Sequence, residues 1–219
     1  MTTHPLATAA AEWDRRWQAE EGRADWLEPE AEVIAAAERQ YAAGGRVALD
    51  IGCGIGRHVM ALAGMGYRVT AIDGSGSGLA YAARDAERRG LQVDFRSGSM
   101  LSLPVADSSC DYVLAWNVIY HGDRDVVDQC VREIARVLKP GGVYQGTMLS
   151  KRNGNFGKGR EVAPDTFVID SISDKAHPHF YCDARTLVEI FSGFELLSLA
   201  DREHRKPGTY HWHLVAIRS

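Results

Sequence analysis

The chain has 219 residues, a net charge of −4 and a pI of about 6.1. That length suits one large domain with a sizeable core, and the acidic balance disfavours wholesale binding to nucleic acid or to anionic membranes. Residues 1–30 are polar and acid-rich and no apolar run reaches membrane-spanning length, so neither a signal peptide nor a membrane anchor is expected, and the setting reads as cytoplasmic.

Residues 7–21 and 29–43 read as two helices, broken around Gly22 to Pro29. The first carries Trp13 and Trp17, four apart and so on one face, and Trp26 follows in the break. A first strand, Arg46–Ile51, closes on Asp50 and runs into Gly52, Gly54 and Gly56 at alternate positions. Glycine lacks a Cβ and tolerates positive φ, so such a turn lets bare backbone approach a ligand. A dinucleotide fingerprint needs a further glycine three places after the second, where this chain has Arg57. Helix 56–65 follows, then a strand over Tyr67–Ile72 ending at Asp73, a helix over Leu79–Arg89 and a strand over Gln92–Arg96. Asp111–Trp116 is a fourth strand, followed by a helix with apolar Val127, Cys130, Val131, Ile134, Val137 and Leu138. That helix stops at Lys139-Pro-Gly-Gly142, before a fifth strand over Val143–Leu149. Thr186–Phe191 is a helix capped by Asp183, and Phe194–Ala200 and Tyr210–Ile217 are the last strands.

Strand–helix alternation of this kind makes a mostly parallel sheet covered on both faces, with ligands beyond the carboxyl ends of its strands. The glycine turn, Asp73, Ser99-Met100 and Asn117 mark that edge on four successive strands. The stretch from Lys151 to Tyr181 has weak periodicity, and a connection that long inside a compact domain is usually functional. Cys53, Cys110, Cys130 and Cys182 form no Cys-x-x-Cys pair and read as buried hydrophobes.

Leu49-Asp-Ile-Gly-Cys-Gly-Ile-Gly56, Asp73, Leu103-Pro-Val-Ala-Asp-Ser-Ser-Cys-Asp111 and Leu138-Lys-Pro-Gly-Gly142, in that order, resemble the class I S-adenosylmethionine-dependent methyltransferases. The resemblance implies an α/β fold: a doubly wound, seven-stranded, mostly parallel sheet with the last strand antiparallel. It divides one domain into a helical cover (1–44), a cofactor core (45–150), a substrate or lid segment (151–181) and a C-terminal part (182–219). It implies S-adenosyl-L-methionine as cofactor. Asp50, Gly52, Cys53 and Gly54 would meet its methionyl amine and carboxylate. Arg57, at the start of the first core helix, either pairs with that carboxylate or points to solvent. Asp73 and Gly74 would take the ribose, Ser99 and Met100 the adenine, and Asn117 the methionyl end. Many relatives place an acid where Ser99 stands.

Trp13-Asp-Arg-Arg-Trp17 with Trp26 is similar to the cover of thiol, thiopurine, halide and tellurite-resistance-type methyltransferases. Trp17 and Trp26 are thereby expected beside the sulfonium, where an indole face attracts a cation. His121, just past strand four, is the expected substrate-facing side chain. The acceptor is expected to be a small molecule, with a soft nucleophile such as sulfur favoured. Methylation of protein or RNA and a catalytically silent cofactor-binding regulator are the alternatives. His211 and His213 share a strand face, but no third ligand at suitable spacing completes a metal site, so no metal is expected. Lys151, Arg152, Lys158 and Arg160 would suit an anionic substrate, and whether His177 and His179 line a pocket is left open.

Overall fold

The computed structural model describes residues 5–172 and 175–219. In chain order the helices are α1 (Pro5–Gln18), α2 (Glu20–Ala24), α3 (Ala31–Ala42), α4 (Arg57–Gly64), α5 (Gly76–Arg88), α6 (Arg124–Val137) and α7 (Ala184–Ile190). The strands are β1 (Val47–Ile51), β2 (Arg68–Asp73), β3 (Val93–Ser97), β4 (Cys110–Ala115), β5 (Leu138–Ser150), β6 (Arg160–Ala163), β7 (Thr166–Val168), β8 (His179–Cys182), β9 (Phe194–Glu203) and β10 (Tyr210–Arg218).

Strands β3, β2, β1, β4 and β5 lie side by side and parallel, and β10 runs antiparallel between β5 and β9. This is the expected seven-stranded core. The apolar face of α6 is fully used: Val127, Cys130, Val131, Ile134 and Val137 are all buried against the sheet. Asp123 and Asp183 cap α6 and α7, accepting from Val126 N and Thr186 N at 3.1 and 2.9 Å, each cap worth about 1 kcal/mol. All four cysteines are free and buried.

The segment from Lys151 to Tyr181 is not a bare loop. It folds into the β6–β7 hairpin and β8, three short strands that extend the sheet to ten. The reason lies in the length of β5. Its first part pairs with β4, and its last residues, Leu149 and Ser150, outrun β4 and pair with Tyr181 and Cys182 of β8. Strand β8 thus lies beyond the carboxyl end of β4, at the ligand-binding edge. The backbone of Phe180 donates to Tyr120 O at 3.0 Å and ties it there.

Helix α1 crosses the same edge as a roof. Its attachment to the core centres on Asp14, whose carboxylate accepts from Ser75 Oγ and Ser77 N, both at 2.8 Å, and from Ser77 Oγ at 3.2 Å, at the start of α5. These donors hold its carboxyl below the usual range. Among the described residues, no helix is long and apolar enough to cross a membrane.

Candidate active site

A cavity of about 410 Å³ opens at the carboxyl ends of β1, β2 and β4, beneath α1. It falls within the usual range for a small-molecule site. The residues expected at the cofactor and the methyl all line it: Asp50, Gly52, Cys53, Gly54, Arg57, Asp73, Gly74, Ser99, Met100, Asn117, His121, Trp17 and Trp26.

The floor is the glycine turn. Gly52, Gly54 and Gly56 have φ of +66°, +55° and +84°, a region where side chains are strained. Closeness demands glycine as well. A Cβ on Gly54 would sit 3.2 Å from the Trp17 ring, and one on Gly78 would sit 2.9 Å from it, so that indole is wedged between two bare backbones. The carboxylate of Asp73 fastens the turn, accepting from Gly54 N and Ser75 N, each at 2.7 Å. Burial raises the Asp73 pKa, and these backbone donors partly offset it.

Asp50 is the electrostatic anomaly of the site. It is 2% exposed, and its Oδ2 has no hydrogen-bond partner. Burial first, and the nearby Asp73 second, push its pKa well above the usual range. An ionised carboxylate without a partner is costly, and a cation beside it would offset that cost.

The roof and one wall are aromatic. Trp13 stacks on Trp17 with centroids 5.1 Å apart, and Trp26 meets both edge-on at 5.4 and 5.8 Å. The Trp13 ring also lies 6.3 Å from that of His121. Trp116 and His58 lie in the lining as well, neither expected from the sequence; Trp116 could have been found as the residue between the end of β4 and Asn117.

Several lining groups are already committed. Arg57 donates to Glu30 Oε1 at 3.0 Å and to Glu28 O at 3.2 Å, and it shares that carboxylate with Arg205. His58 accepts from Glu30 N, and burial takes its pKa down to about 3. Asn117, at φ +62°, receives a hydrogen bond from Thr147 Oγ1 and donates Nδ2 to His204 Nε2 at 3.0 Å. His121 Nε2 lies 3.1 Å from Asn117 O, so it carries the proton, and Nδ1 accepts from His177 Nε2 at 2.8 Å. Burial, with a neighbouring His177 and Lys175, holds His121 neutral.

The basic run does not line the cavity. Lys151 pairs with Asp165 at 2.7 Å, and Arg152 lies 4.1 Å above the Tyr210 ring while reaching Asp201. His211 and His213 share a buried face, as expected, but they approach His204; the histidine that meets the cavity wall through His121 is His177.

Comparison with known proteins agrees with this architecture. A methyltransferase domain family matches residues 48–142. A ubiquinone biosynthesis O-methyltransferase of Methylocella silvestris is 36% identical over 110 residues, covering 49% of this chain and 41% of that protein. This chain spans less than half the length of the curated relatives it matches. Magnesium protoporphyrin IX methyltransferase from Synechocystis with bound SAH superposes with a TM-score of 0.72 at 16% identity, over 99% of this chain and 100% of that one. A Burkholderia thailandensis 1,6-didemethyltoxoflavin-N1-methyltransferase superposes with a TM-score of 0.70 at 22% identity, over 100% and 92%. At such identities these superpositions establish the fold.

Proposed function

We propose that this chain, which belongs to the class I S-adenosylmethionine-dependent methyltransferases and carries their methyltransferase domain over residues 48–142, methylates a small-molecule acceptor. The observation that carries this reading is Asp50: a buried, unpaired carboxyl at a bare-backbone turn, below a stack of indoles. An ammonium on Asp50 and a sulfonium against the tryptophans match that pair of features.

S-adenosylmethionine supplies, when bound, a methyl group already activated on a sulfonium. Asp50 would hold the amino group, and the backbone from Gly52 to Gly54 the carboxylate, since Arg57 stays with Glu30. The free lone pairs of Asp73 would accept from the ribose hydroxyls, and Met100 would wall the adenine beside Ser99, whose Oγ takes Leu101 N. Trp17 and Trp26 would face the sulfonium, while α1 excludes water above them.

The same inventory bears on the acceptor. His58 and His121 are neutral with their lone pairs engaged, Cys53 is pushed up by burial, and both aspartates serve the cofactor. No lining group among the described residues is left as a general base. An acceptor that ionises unaided, such as a thiol, fits that inventory better than an alcohol or an amine. Small-molecule methylation is also the chemistry named for the ubiquinone and toxoflavin relatives.

The test has two stages. Calorimetry with S-adenosylhomocysteine checks the pocket, and a screen of S-adenosylhomocysteine release across thiols, halides, amines and carboxylates identifies the acceptor. Thiols are expected to lead. Methyl label appearing in a protein or RNA fraction instead would overturn the small-molecule reading, and binding without any acceptor would favour a regulator.

Asp73→Ala should weaken S-adenosylhomocysteine binding by about 1.5–3 kcal/mol, the size of a hydrogen bond to a charged group. An unchanged calorimetric affinity would rule out the ribose placement. His121→Ala should lower turnover tenfold or more, in rough terms, while leaving cofactor affinity within about twofold, because a positioning wall is lost rather than a cofactor contact. Equal, wild-type values for both would make His121 purely structural.

A further inference from the structure

Three histidines meet where β8 passes the end of β4. His121 comes from the turn after β4, His179 opens β8, and His177 lies two residues before it. All three are buried, at 8%, 1% and 0% exposure for His121, His177 and His179. One ring nitrogen from each lies within 4.8 Å of those of the other two. The assembly is held by backbone: His121 and His179 form an isolated antiparallel bridge, and Phe180 N donates to Tyr120 O.

The hydrogen bonds fix the tautomers. His121 Nε2–H donates to Asn117 O, which leaves Nδ1 as a lone pair inside the cluster. His179 Nδ1–H donates to His177 O at 2.7 Å, which leaves Nε2 as a lone pair. A ligating histidine usually donates its other ring N–H to a backbone carbonyl in this way, which orients the ring and raises its basicity. Two of the three rings therefore already carry that support. Neutral imidazole is the ligating form.

We propose that His121, His177 and His179 form a binding site for a divalent first-row transition metal of the zinc class. Zinc takes imidazole nitrogens at about 2.0–2.1 Å, so tetrahedral nitrogens lie roughly 3.3 Å apart. The 2.8 Å contact between His177 Nε2 and His121 Nδ1 need open only slightly, with the His177 proton moving to its other nitrogen. Lys175 Nζ, 3.4 Å from His179 Nε2, must swing aside on its flexible stem. Its charge then favours an anion at the fourth coordination position. Three protein nitrogens with one open position is the pattern of catalytic rather than closed structural zinc. His121 also lines the main cavity, so the trio adjoins it.

The site is independent of the methyl-transfer reading, and its test reads binding rather than turnover. The untagged 219-residue chain is titrated with Co²⁺ and followed by visible absorption, then with Zn²⁺ by competition. One equivalent of Co²⁺ with intense tetrahedral bands is expected, and X-ray absorption should count three imidazole ligands. His177→Gln and His179→Gln should each weaken binding about 100-fold, whereas His204→Ala, outside the trio, should leave it unchanged. Absence of the bands in the wild type, fewer than three imidazoles, or unaltered affinity in the variants would overturn the site. The wild-type spectrum decides the question even if a variant fails to fold.

Discussion

Asp50→Asn is expected to raise the melting temperature of the ligand-free protein at neutral pH and to abolish tight cofactor binding. Both effects come from one atom. Asp50 Oδ2 is buried without a partner, and burial together with Asp73 raises its pKa well above the carboxylate range. A group whose folded pKa exceeds its unfolded value stabilises fully below the unfolded pKa, about 3.9, and that contribution fades as pH rises through the folded pKa. Ligand-free wild type should therefore lose stability as pH climbs above about 4, and the asparagine variant should lack that part of the decline. An amide keeps the shape, and its desolvation costs less than that of a buried charge. Binding responds with the opposite sign. The ionised carboxylate is what an ammonium needs, so affinity for S-adenosylhomocysteine should grow as pH rises through the Asp50 pKa. Loss of one partner of a buried ion pair costs about 3–5 kcal/mol, roughly 150-fold to 5,000-fold in affinity. Melting curves across pH, with and without the nucleoside, read both effects. Superimposable curves for the two proteins would refute the cation site.

Gly52→Ala carries the second large effect. Gly52 sits at φ +66°, and its N–H is committed to Ile72 O at 2.7 Å, so the turn cannot rotate away. A Cβ there would lie 2.4 Å from Val118 Cγ2 and 2.7 Å from Cγ1. The left-handed conformation costs an alanine about 1–2 kcal/mol, and overpacking adds about 1–3 kcal/mol. A total of about 2–5 kcal/mol corresponds to a fall of roughly 5–15 °C in Tm for a domain of this size. Gly52→Ala with Val118→Ala should recover only the packing share, because the dihedral strain stays. Full recovery in the double variant would show that φ at this position is unimportant, and no loss in the single variant would show that the turn relaxes freely.

The glycine-turn side of the pocket was legible because its determinants are local. An apolar run, an acid and alternate glycines specify a strand and a turn within a dozen residues, and Asp73 stands in register with them on the neighbouring strand. The α6 face was equally plain from its spacing. What escaped depends on distant pairings. Strands β7 and β8 have three and four residues, too few to show alternation, and they exist because β5 outruns β4. Arg57 looked available until Glu30, 27 residues earlier, closed on it. The histidine trio joins positions 56 residues apart, whereas the visible pair, His211 and His213, was a strand alternation with a different neighbour. Trp13 and Trp17 sharing a face could be foreseen, but the wedging of Trp17 between Gly54 and Gly78 could not.

The roof over the cavity hangs largely from Asp14. Its single carboxylate gathers three donors from Ser75 and Ser77, and Ser75 Oγ simultaneously accepts from Gly78 N to start α5. Helix α5 also supplies Gly78, on which Trp17 rests. One helix terminus therefore anchors the covering helix and seats its indole, so disturbing either serine releases both constraints together. The cover over the cavity and the seat of its indole thus share a single polar anchorage, the Asp14 carboxylate on the N-terminus of α5.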